Sequence, residues 1–138
     1  MTMRWILGMG LMLAASMMLI ATNATASPGS KLLNHCQTGD RSGVSSAIPF
    51  GTCLGYSSAV MEAMIANGRD ERLKPKAMTD KTLRRGYLSG WEACFPEKME
   101  PSDARNAARS FLVDHPDRLA EEAVDLVAEA LARAYPCP

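Results

Sequence analysis

Beyond residue 26, apolar positions recur with helical spacing along most of the chain. From Pro49 onward, Cys53, Ser57, Val60, Met61, Met64 and Ile65 fall on one helix face, and Asn67-Gly68 supplies a stop signal. Ahead of it, Lys31 to Gln37 forms a short helix presenting Leu32, Leu33 and Cys36, and a break follows from Thr38 to Ser46. Gly51 and Gly55 each lower helix propensity by about 1 kcal/mol relative to Ala, which predicts an element crossing closely there. Thr79 to Leu88 predicts a short helix capped by Thr79 or Asp80 and leading into Gly90-Trp91. Ser102 or Asp103 caps a further helix whose face is Ala104, Ala107, Ala108, Phe111 and Leu112, and His115-Pro116 ends it. Pro116 then opens a last helix carrying Leu119, Ala123, Leu126, Val127, Ala130, Leu131 and Ala134. No segment alternates convincingly between apolar and polar residues, and no Asn-Gly or Asp-Gly turn joins two β-branched runs. The expected fold is therefore all-α, a small disulfide-stapled bundle of about four to five helices.

The first 26 residues read differently. Arg4 precedes an uncharged run from Trp5 to Ala21, and Ala24-Thr25-Ala26 supplies the small residues of a signal-peptidase site. The run falls short of the roughly 20 apolar residues that span a bilayer. This organisation predicts a cleaved signal peptide over 1–26, a single helical domain over 27–138, a periplasmic location and no membrane contact after cleavage. The leader takes with it Arg4 and no acidic residue, so 15 basic against 15 acidic becomes 14 against 15. Such neutrality argues against nucleic-acid binding, which needs an excess of Lys and Arg.

Cys36, Cys53, Cys94 and Cys137 all lie in the exported part, and an even count in an oxidising compartment reads as two disulfides. Of the three possible pairings, antiparallel packing of the last two helices favours Cys94 with Cys137, which leaves Cys36 with Cys53. No close pair of Cys or His ligands points to zinc, and no cofactor is expected. The chain has no Gly-x-Ser-x-Gly elbow, no His-Glu-x-x-His and no phosphate-binding glycine loop, so it does not read as an enzyme.

Three stretches carry a family resemblance: Cys53-Leu54-Gly55-Tyr56, Cys94-Phe95-Pro96-Glu97, and Phe111-Leu112-Val113-Asp114-His115-Pro116 running through Leu126-Val127 and Ala130-Leu131 to Tyr135-Pro136-Cys137. In order and spacing they resemble the Rap/Tai family of immunity proteins. The family pattern has an apolar residue and a second glycine where this chain has Ser57 and Ala59. The resemblance implies a helical, homodimeric periplasmic protein that binds and inhibits a peptidoglycan amidase effector of a type VI secretion system.

Arg69 to Arg85 is the most basic stretch, with seven basic residues against three acidic. Arg69, Arg72, Arg84, Arg85, Tyr87 and Trp91 are the candidate partner-binding residues, because Arg, Tyr and Trp are favoured interface anchors. A competing reading is an acid-stress chaperone resembling the HdeA group, since nine carboxylates against five basic residues follow Cys94 and would lose charge in acid.

Overall fold

The computed structural model describes residues 26–69 and 82–138. The leader expected over 1–26 lies outside these residues except for Ala26. Four α-helices are present: α1 (Gly29–Gly39), α2 (Ala47–Gly68), α3 (Pro101–Asp114) and α4 (Ala123–Ala134), with single 3-10 turns at Val44–Ser46 and Pro116–Arg118. Between α2 and α3 stands an antiparallel hairpin of β1 (Leu83–Leu88) and β2 (Trp91–Pro96).

The hairpin corrects the all-α expectation: the fold is mixed, helices with a two-stranded sheet. Leu83 to Leu88, expected as the end of a short helix, is a strand. Its turn is Ser89-Gly90, both at positive φ (51° and 84°), the twist that suits a two-residue hairpin connection. Leu88 pairs with Trp91, Gly86 with Ala93 and Arg84 with Phe95. A Cβ at Gly86 would come within 2.6 Å of Phe95 and 2.9 Å of the Met64 Cβ, so only glycine lets the hairpin lie this close to α2. Gly68 meets the same surface, where a Cβ would fall 2.1 Å from the Arg85 carbonyl oxygen.

Helix α2 touches α1, α3, α4 and β1. Its buried residues are Cys53, Ser57, Val60, Met61, Met64 and Ile65, the face that the periodicity marks. Phe95, Leu112, Leu126, Val127 and Leu131 close the core around Met64 and exclude water almost completely. Gly51 and Gly55 are corrected: a Cβ at either meets nothing within 4 Å, so no element crosses there. Helix α3 is capped by Glu100 and begins at Pro101, so Ser102 and Asp103, expected as caps, lie inside its first turn, where Asp103 accepts the Glu100 N–H at 3.0 Å. Helix α4 begins only at Ala123, and Leu119 belongs to the connection before it.

Disulfides join Cys36 to Cys53 and Cys94 to Cys137. The first locks α1 to α2. The second ties the tail after α4 to β2, beside a hydrogen bond from the Cys94 N–H to the Tyr135 carbonyl (2.8 Å). At the other end of α4, the Ala123 N–H donates to Ser27 and the Gly29 N–H donates to Glu121, at 2.8 and 2.9 Å.

Candidate interaction surface

Strand residues alternate between the two faces of a sheet, and the hairpin therefore divides the basic residues expected to act together. Arg84 shares its face with Gly86 and looks toward α2. There it lines a cavity of about 330 Å3 with Glu62, Ile65, Ala66 and Arg69. Arg85 and Tyr87 belong to the opposite face, where the Arg85 Nε lies 2.7 Å from a Glu92 carboxylate oxygen and Tyr87 is paired with Glu92 across the strands. Trp91 is half-buried and packs against the core with Leu88. Arg72 lies outside the described residues. The structure thus brings together Arg69 with Arg84, and Arg85 with Tyr87, as two separate surfaces.

A third surface lies at the start of α2, where Val44, Ile48 and Phe50 are 93, 81 and 42% exposed. Arg105 of α3 sits beneath it, 4.8 Å over the Phe50 ring, and both Arg105 and Arg109 ion-pair with Asp40. The hydrogen bond from Arg105 holds the Asp40 carboxyl below its ordinary value; partial burial opposes this and Arg109 reinforces it. Sequence reasoning passed over these residues. Their signal was the apolar character of α2 outside its core face, at Ile48, Phe50, Ala59, Ala63 and Ala66, because a helix apolar on several sides seeks more than one partner.

At the α3–α4 corner, the buried Glu129 accepts hydrogen bonds from Arg118 (2.7 Å) and from both Nε and Nη2 of Arg133 (2.9 and 2.7 Å). Burial alone would raise its pKa, but the two guanidinium groups outweigh burial and leave it lowered. The Phe111 ring lies under both arginines and stacks on His115 at 4.0 Å. Both carboxylate oxygens of Glu129 are matched by guanidinium donors, so the cluster braces the corner between α3 and α4. Among the described residues no group of three or more His, Cys, Asp or Glu side chains is placed to hold a metal ion.

Comparison with known proteins places the chain in a family. A family model describing Rap1a immunity proteins matches residues 28–137, most of the 138-residue chain. The chain belongs to the Rap1a immunity protein family. Comparison with curated proteins and with solved structures gave no match. A Rap1a immunity protein works by binding a partner effector, and such families are generally non-enzymatic. On this disulfide-braced body stand the Arg69 and Arg84 cavity, the Arg85, Tyr87 and Glu92 face of the hairpin, and the apolar surface at the start of α2. Among the described residues no helix of this Rap1a-family chain is long and apolar enough to cross a membrane.

Proposed function

We propose that this Rap1a-family protein is exported to the periplasm, where it binds and inhibits a peptidoglycan amidase effector of a type VI secretion system as a homodimer. The family match over residues 28–137 carries this reading. Two disulfides support it as well, since they persist where thiols are oxidised. Inhibition needs no chemistry from the immunity protein: a body rigid enough to hold a surface loop against the amidase cleft keeps peptidoglycan out. Pre-organisation of that kind lowers the ordering cost of association.

The test is capture of purified periplasmic amidases from the same genome by the oxidised domain, residues 27–138, followed by an assay of peptidoglycan cleavage. Tight capture with loss of cleavage is the expected result. Failure to bind any of them would refute the amidase reading and leave the family assignment standing. Light scattering of the free domain reads its oligomeric state, expected to be a dimer. Paired substitutions then choose the contact face: Arg69→Ala/Arg84→Ala against Arg85→Ala/Tyr87→Ala, with the engaged face losing at least about tenfold in affinity.

A further inference from the structure

The cavity between the end of α2 and β1 has a composition that the general immunity reading does not explain. Its walls pair an apolar side, Ile65 and Ala66, with two guanidinium groups, Arg69 and Arg84, and one carboxylate, Glu62. Among the described residues neither arginine makes an ion pair, although Glu62 lines the same cavity. Arg84 is held in place by the strand. Its Nε is buried without a hydrogen-bond partner, and its Nη2 reaches the Pro96 carbonyl only at 3.4 Å, beyond a good N–H···O distance. A guanidinium fork with so few acceptors in a partly dry setting carries an unmet demand for a carboxylate, the acceptor whose two oxygens match it.

We infer that this cavity receives an acidic side chain of the effector, flanked by an apolar residue, with the carboxylate on Arg84 and Arg69 and the apolar neighbour against Ile65 and Ala66. This inference rests on the immunity reading for the source of the acidic side chain and on the cavity alone for its chemistry. The volume of about 330 Å3 exceeds a single carboxylate, which is why a neighbouring side chain is part of the fit. Glu62, which lines the same cavity, repels a second acidic group and so favours one carboxylate over a run of them.

The test uses a synthetic probe, the capped peptide acetyl-Leu-Glu-Leu-amide, and its twin with Gln in place of Glu, so it needs no effector. Arginine Nε–H signals are followed by NMR on the oxidised domain. The expected result is a saturable shift of the Arg84 signal with the Glu peptide and binding about tenfold weaker with the Gln twin, as befits a charge-assisted pair. Arg69→Gln should weaken the Glu peptide and leave the Arg84 signal as a reporter, and Arg84→Lys should retain part of the binding that Arg84→Gln loses. Thermal melts show that each variant is folded. Equal shifts with both peptides, or none at Arg84, would overturn the inference while leaving immunity intact. So would a gain of about tenfold in Asp70→Asn/Glu71→Gln, because the carboxylates that follow Arg69 in sequence would then be the cavity's own occupants. In the amidase complex, once one is in hand, Arg69→Glu/Arg84→Glu should abolish capture, whereas failure to capture any amidase with the unaltered domain counts against the immunity reading alone.

Discussion

The two disulfides close loops of different size, 17 and 43 residues, and this difference fixes what each contributes to stability. In the chain-entropy picture, closing 17 residues removes about 3 kcal/mol of freedom from the unfolded chain, and closing 43 about 4 kcal/mol. For a domain whose total stability is of order 5–15 kcal/mol, either loss is a large fraction. Replacing cysteines by alanine mixes this effect with packing, because Cys36 and Cys53 are fully buried whereas Cys137 is only half-buried. Reduction keeps the sulfurs and isolates the chain term. Cys36→Ala/Cys53→Ala leaves the long bridge alone, and Cys94→Ala/Cys137→Ala leaves the short one. Urea unfolding of each variant with and without reductant should then show a loss of about 4 kcal/mol for the long bridge and about 3 kcal/mol for the short. In melting temperature, the long bridge should be worth on the order of 15 °C. If reduction of the short bridge costs as much as reduction of the long one, or if either costs less than about 1 kcal/mol, chain entropy is not what these bridges supply.

Other consequences follow from close contacts and from charge. Gly86→Ala should destabilise by about 1–3 kcal/mol, since the Met64 Cβ at 2.9 Å cannot swing aside, and denaturant unfolding reads the loss. Gly55→Ala, which meets nothing within 4 Å, should instead raise stability by about 0.5–1 kcal/mol through better helix propensity; a loss would mean that this face is covered. Glu129 has a folded pKa below its ordinary 4.5, so its stabilisation is complete above the unfolded value and is lost as pH falls through the folded one. Glu129→Gln should therefore cost about 2 kcal/mol at neutral pH and flatten the acid limb of a stability-against-pH curve, and an unchanged acid limb would remove Glu129 from the account.

The helices were legible because their record is local. The buried face of α2, from Cys53 to Ile65, and the end of α3 at His115 follow from spacing and proline within a turn or two, whereas the start of α3 at Pro101 precedes the caps that the sequence suggests. The hairpin was hidden because its strands do not alternate. Ala93, Cys94 and Phe95 are buried in succession, since the tail at Tyr135 and Cys137 covers the face of β2 that would otherwise meet water. In β1, Arg84 and Arg85 stand on opposite faces and blur the pattern further. Its turn did leave a trace, because Ser-Gly is among the dipeptides that mark tight turns. The candidate site was half legible: the basic residues were found, but strand alternation, invisible without the strand, separates Arg84 from Arg85. Arg105 went unremarked in the sequence, because its partners, Asp40 and the Phe50 ring, lie 65 and 55 positions away along the chain and local spacing cannot reveal them.

Helix α4 holds both ends of the folded body, with Ser27 and Gly29 at its start and Cys137 bridged to Cys94 beyond its finish. A chain that emerges from the ribosome or an export channel N-terminus first thus presents Ser27 to Ser30 long before their partners exist. The Cys36–Cys53 link can close early, over 17 residues, while the core around Met64 stays open on the side that Leu126 and Leu131 will fill. Assembly is therefore completed by the final sixteen residues, from Ala123 to Pro138, which work as a latch for everything made before them. A chain cut short at residue 122 would retain its first disulfide and the bonds from Gly29 and Ser30 to Glu121 and Leu119, but would lose the Ser27 bond to Ala123 and every tie between β2 and the tail.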